Sequence, residues 1–200
     1  MASPGVDQLT ALAELFKRAL DYSLPESVAV LGVAGGNGLE QIDFAATTSV
    51  VAVDINQGYL DEVGRRFGSS RIAGLELHCC DLAERRLNLP PVALVHAALI
   101  FEHVGLGLAL ENAVSLVSAQ GHLAVVLQLP SEDEQGVTAT SYKSMQALKR
   151  DFSLIDRGQF QRLLEPKGFE LVKQEYRLLA SGKALWLGVF VRFHIASAPA

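Results

Sequence analysis

Short, wholly apolar runs alternate along this chain with segments whose apolar residues recur every three or four positions. Uniform apolar runs suit strands buried on both faces of a parallel sheet, and the 3.6-residue period suits helices covering it. The first periodic stretch sets Leu9, Leu12, Leu15, Phe16, Ala19 and Leu20 on one helical face. Ser3 caps it, Pro4 takes the first helical position, and Leu24-Pro25-Glu26 breaks it. Residues 1–24 are therefore predicted as an N-terminal helix. Strands are predicted at 28–31, 50–53, 75–79, 92–98 and 123–127, with helices at 39–46, 59–67, 106–117 and 160–167 between and after them. Two further strands, 169–179 and 184–193, flank Ala180-Ser181-Gly182-Lys183, a spacing that reads as an antiparallel hairpin.

The pattern predicts an α/β fold: a Rossmann-like, mostly parallel seven-stranded sheet, helices on both faces, and a C-terminal antiparallel hairpin. Residues 1–200 read as a single domain. The segment 130–155 has the weakest periodicity. It leaves the carboxyl edge of the sheet, where loops cover ligands in open α/β folds, so it reads as a lid or substrate insertion.

The 200 residues are 50% hydrophobic and 20% charged, with a formal net charge of −5. An acidic chain offers no electrostatic footprint to a nucleic-acid backbone, which speaks against a nucleic-acid partner. No apolar run is long enough to span a bilayer, and the N-terminus lacks a signal-peptide pattern. The two cysteines, Cys79 and Cys80, are sequence neighbours and form no disulfide framework, so a reducing, cytoplasmic setting is expected. His78-Cys79-Cys80-Asp81 contains metal-binding residue types, but alternate strand residues face opposite ways and no second Cys pair exists, so no metal site is expected. The apolar face of the N-terminal helix has three candidate roles: covering the sheet, covering a pocket, or joining two copies in a homodimer.

Candidate chemistry begins in residues 32–38, Gly-Val-Ala-Gly-Gly-Asn-Gly, directly after a strand. Glycines there permit positive φ and close approach of the backbone to a ligand. Asp54 ends the second strand, where a carboxylate accepts hydrogen bonds from ribose hydroxyls in nucleotide-binding folds. Asp81 ends the third, placed to accept from an adenine amino group or to form a turn. A G-x-G-x-x-G dinucleotide spacing fails from either Gly32 or Gly36, and Gly182-Lys183 followed by Ala184 is not a phosphate loop.

These residues carry a resemblance. Over almost its whole length the chain resembles class I S-adenosylmethionine-dependent methyltransferases. The glycine turn is similar to their first motif, the strand ending at Asp54 to their ribose-binding strand, and Cys80-Asp81-Leu82 to their adenine-binding turn. Residues 31–40, 96–102 and 126–131 look like a bacterial branch of these enzymes whose substrate is unassigned. The resemblance implies S-adenosylmethionine as cofactor, S-adenosylhomocysteine as product and a small-molecule acceptor. It implies cofactor contacts from Gly32, Val33, Ala34, Gly36, Asn37, Gly38, Asp54, Ile55, Asp81, Leu82 and Ala97. Glu102 and His103, after the fourth strand, are candidate acid–base groups, and Gln128 and Tyr142, with Lys143, border a candidate acceptor pocket.

Two departures matter. The family carries Asp or Glu where this chain has Gly32, and glycine where it has Ala34. The missing carboxylate ordinarily helps hold the cofactor's amino group; Glu40, Gln41 and Glu102 are the neighbouring candidates to replace it. Its loss leaves a non-catalytic, methyltransferase-like binding protein as the rival reading, ahead of a nicotinamide-dependent oxidoreductase. The segment 97–103 lacks the Asn/Asp-Pro-Pro-aromatic arrangement of base-modifying enzymes and the Pro-Cys pair of pyrimidine-carbon methylation.

Overall fold

The computed structural model describes residues 4–68, 72, 74–130 and 152–193. Strands β1 (Ser27–Leu31), β2 (Ser49–Asp54), β3 (Leu75–Cys79), β4 (Val92–Ala98), β5 (Val117–Leu129), β6 (Phe169–Leu178) and β7 (Ala184–Arg192) form one sheet in the order β3-β2-β1-β4-β5-β7-β6. The first five pair in parallel, and β7 pairs antiparallel with both β5 and β6. The helices are α1 (Pro4–Ser23), α2 (Gln57–Phe67), α3 (Phe101–Val104), α4 (Gly107–Leu116) and α5 (Arg157–Leu164).

The central strands bury both faces, which explains their continuous apolar runs. Val28 and Val30 join Phe16 of α1 and Leu60 of α2 in one core; Ala29 and Leu31 join Phe101, Leu110 and Phe160 of α3, α4 and α5 in the other. Helices α1 and α2 thus cover one face and α3, α4 and α5 the other. Helix α1 packs through Ala11, Leu15, Phe16, Ala19 and Leu20, while the side chain of Leu9 is half in solvent. Asp156 caps α5 as its spacing suggests, its carboxylate accepting from the Gln159 amide at 2.7 Å.

Two elements differ from the sequence pattern in their bounds, and the short helix α3 is an addition to it. The helix expected over 39–46 is only a 3-10 turn, Leu39–Gln41. Asp43 captures the Ala45 amide with its side chain and the Thr47 amide with its carbonyl, offering the backbone a local turn instead of a helix. Helix α1 also lies directly behind: a Cβ on Gly38 would sit 3.1 Å from Phe16 Cδ1. The second difference is at Val117, which begins β5 rather than ending α4, because it pairs with Val92 across the sheet.

Neighbouring β1 and β4 have their connections running in opposite directions, toward β2 and toward β5. In an open α/β sheet the crevice at such a switch, at the carboxyl ends of the strands, is where ligands bind. The glycine turn after β1 and the α3 segment after β4 border it.

Candidate functional site at the carboxyl edge of the sheet

The turn after β1 is anchored from below. The Gly32 and Val33 amides both donate to the Val53 carbonyl, at 2.9 and 3.1 Å. Every second residue then takes positive φ: Gly32 at 72°, Ala34 at 47°, Gly36 at 81° and Gly38 at 92°. The alternation explains the glycine spacing and shows that Ala34 holds a glycine-type conformation, at a strain of about 1–2 kcal/mol. Asn37 points away from the turn's mouth, its side-chain amide donating to the Leu9 carbonyl at 2.9 Å. Glu40 is engaged at the turn itself, accepting from the Gly38 amide at 3.1 Å. Arg66 of α2 donates to the Gly35 carbonyl.

Asp54 links the turn to β2. One carboxylate oxygen accepts the Ala34 amide and the other the Asn56 amide, each at 2.8 Å. The residue is 8% exposed. Each oxygen keeps a second lone pair for a ligand hydroxyl. Ile55, the next residue, is 65% exposed and presents an apolar surface beside it.

The Asp54 carbonyl accepts the Cys80 amide at 2.9 Å, which brings the end of β3 alongside. Asp81 forms a turn, one carboxylate oxygen accepting the Ala83 amide at 2.9 Å, and Leu82 is buried beneath it. Asn112 of α4, a buried residue that the sequence pattern did not single out, fastens this loop. Its side chain donates to the Leu82 and Arg85 carbonyls at 3.1 and 2.8 Å and accepts the Leu87 amide at 2.9 Å. An Asn on the apolar stripe of a helix was the only signal available.

On the other side of β1, the space a side chain at residue 32 would need is filled. A Cβ there would lie 2.9 Å from Ile100 Cδ1. Ala97, by contrast, is wholly buried within β4, opposite Leu31 and Val125, and its side chain packs in the core below the edge.

Glu102 is 1% exposed. Its Oε1 accepts the Gln128 amide at 2.8 Å, while Oε2 is buried without a partner. Desolvation raises its pKa to about 7. His103 has an unpartnered buried Nδ1, a pKa lowered by burial, and the Phe152 ring edge-on at 5.1 Å. Gln128 is buried near the end of β5, and the Ser153 amide donates to the Glu102 carbonyl at 2.8 Å. Glu102 and Gln128 therefore meet at the ends of β4 and β5, with His103 next to Glu102 in α3. Tyr142 and Lys143 lie outside the described residues. His96 is inside β4, stacked on Phe16 at 4.2 Å; its Nδ1 has no partner, and burial lowers its pKa to about 3.

The fold is similar to that of N-methyltransferase NodS from Bradyrhizobium japonicum WM9, at TM-score 0.65 and 14% identity over 96% of this chain and 97% of that one. The magnesium protoporphyrin IX methyltransferase ChlM from Synechocystis PCC 6803, solved with bound S-adenosylhomocysteine, superposes at TM-score 0.67 and 13% identity over 94% and 84% of the two chains. This chain has the class I methyltransferase fold. The [4+2]-cyclase SpnF shares the fold too, at TM-score 0.71 and 9% identity over 90% and 80% of the chains. No family model and no curated protein matches the sequence. Among the described residues of this methyltransferase-fold protein, no helix is long and apolar enough to cross a membrane. Nor do those residues contain a group of three or more His, Cys, Asp or Glu placed to share a metal ion.

Proposed function

We propose that this protein binds S-adenosylmethionine in the crevice between the glycine turn and the ends of β2 and β3, and methylates a small molecule, leaving S-adenosylhomocysteine. The observation that carries the reading is Asp54, whose carboxylate joins the ends of β1 and β2 through the Ala34 amide and keeps lone pairs for two ribose hydroxyls. The turn itself is held closely against the core, where a Cβ on Gly36 or Gly38 would stand 3.0 Å from Phe67 or 3.1 Å from Phe16. The fit extends also to Asp81 and Ile55 on the adenine side.

When bound, the cofactor supplies a methyl group already activated by its sulfonium. The chain's residues need only bind, orient and accept a proton. Val33, Ala34 and Gly36 shape the turn that holds the nucleoside, Asp54 fixes its ribose, and Asp81 and Leu82 bound its base. Orientation of the acceptor near the methyl supplies much of the rate, so the chain need supply no nucleophile of its own. His103 and Gln128 border the acceptor's position, with His103 neutral at pH 7 and able to take a proton. The acidic net charge fits a small acceptor rather than a nucleic acid and, with the two unpaired cysteines, a cytoplasmic protein.

One observation favours a second reading. Residue 32 carries no carboxylate, and a Cβ there would meet the Ile100 side chain at 2.9 Å, which suits a protein of this fold that binds without methyl transfer. Calorimetric titration with S-adenosylmethionine, S-adenosylhomocysteine and NAD tests the cofactor site, and formation of S-adenosylhomocysteine in the presence of small-molecule acceptors separates the two readings. Binding of both adenosyl ligands and not NAD is the expected result; no adenosyl binding refutes the proposal.

A further inference from the structure

We propose that Glu102 Oε2 receives a cationic nitrogen, an alkylammonium group, in the ligand-loaded site. This rests on the cofactor reading above. Glu102 stands two residues beyond Ile100, the residue that fills the space over Gly32. Its carboxylate is fixed in one orientation by the Gln128 amide on Oε1. The other oxygen is buried without a hydrogen-bond partner. A buried carboxylate with a free oxygen is stable as an anion only when a cation or donor meets it. Burial holds its pKa up at about 7, and a cation meeting Oε2 lowers it.

Two ligands bring an alkylammonium to this edge. One is the cofactor's own amino group, which has no carboxylate at residue 32 to meet it. The other is an amine acceptor. For the amine, the bound ammonium first passes one proton to the Glu102 carboxylate; the neutral nitrogen's lone pair then attacks the methyl carbon, the carbon–sulfur bond electrons return to sulfur, and the product leaves as the methylated ammonium ion.

The test compares wild type with Glu102→Gln, which keeps an oxygen for the Gln128 amide and removes the charge. Three titrations are made: S-adenosylhomocysteine; methylthioadenosine, which lacks the amino-acid end; and, on the S-adenosylhomocysteine-loaded protein, phenethylamine beside the neutral 2-phenylethanol. Loss of one charge-assisted contact predicts a weakening of about tenfold or more in the arm that supplies the cation. If S-adenosylhomocysteine weakens while methylthioadenosine does not, the cofactor is the source. If both adenosyl ligands bind as in wild type and phenethylamine alone is lost, the acceptor is an amine. Unchanged affinity in every arm, or equal weakening of both adenosyl ligands, overturns the proposal. Should wild type bind neither adenosyl ligand, the cofactor reading itself fails. If Glu102→Gln does not fold, Glu102→Asp, which withdraws the carboxylate by one methylene, replaces it with the same expected pattern.

Discussion

His96 makes the acid stability of this fold calculable. The imidazole sits inside β4, stacked on Phe16, with Nδ1 unpartnered and its pKa lowered by burial from the ordinary 6.5 to about 3. A group whose native pKa is depressed binds protons more readily when unfolded. Its contribution to stability is therefore complete above pH 6.5 and is lost as pH falls toward 3. Between pH 7 and 4.5 the unfolded imidazole becomes fully charged while the folded one stays neutral, a destabilisation of about 2.5 kcal/mol. Replacing His96 by Gln removes that slope, whatever the substitution does to absolute stability. Other titrating groups, His103 and His122 among them, are common to both proteins and cancel in the difference. Urea unfolding of wild type and His96→Gln at pH 7 and 4.5 reads it directly. The gap between the two proteins should narrow, or invert in favour of the variant, by about 2.5 kcal/mol on acidification. Parallel loss in both would refute the placement of a neutral, desolvated imidazole in β4.

Glu102 tilts the balance the other way: its native pKa is raised to about 7, so its favourable contribution holds below pH 4.5 and fades as pH rises through 7. Glu102→Gln should thus gain about 2–3 kcal/mol on wild type between pH 5 and 8.5, read by denaturant midpoints; a pH-independent difference would contradict its burial. Asp54→Ala removes the proposed ribose acceptor and the carboxylate that braces Ala34, and calorimetry should show S-adenosylhomocysteine affinity falling by about tenfold or more. Undiminished affinity would remove Asp54 from the site. Asn112→Ala leaves two carbonyls and one amide of the 82–87 loop without their partner, and thermal unfolding should register a loss of about 2–4 kcal/mol; a loss under about 1 kcal/mol would mean solvent replaces those bonds.

Features dictated by local chemistry were the ones legible in the chain. The strands at 28–31 and 50–53 announce themselves because both faces of β1 and β2 are covered, and that demands unbroken apolar runs. The glycine turn is equally legible, since its alternating positive φ values ask for small residues at fixed spacing. What stayed hidden depends on partners far along the chain. Val117 continues the apolar stripe of α4 in sequence but is claimed by Val92 as a strand partner. The helix expected over 39–46 is pre-empted by Asp43 and by α1 pressing on Gly38. In the candidate site, Gly32 reads as a lost carboxylate, yet that Ile100 has taken the space is visible only when β1 and β4 lie side by side. Asn112 reads as one polar residue on an apolar helix until the loop after Asp81 folds onto it.

The position of β7 between β5 and β6 has a consequence for how the chain is made. β6 leaves the ribosome before β7, but the two strands that follow β4 in space, β5 and β7, are not consecutive in sequence. Until β7 emerges, β6 has no ladder to join and β5 keeps one edge bare, with Val126 and Leu127 awaiting Leu187 and Trp186. The parallel half of the sheet can assemble as it is synthesised, while the remaining edge stays open to a stray strand until β7 slots in. Stalled synthesis before residue 184 would accordingly yield a chain able to assemble most of the crevice at the β1–β4 switch yet prone to aggregate through β5.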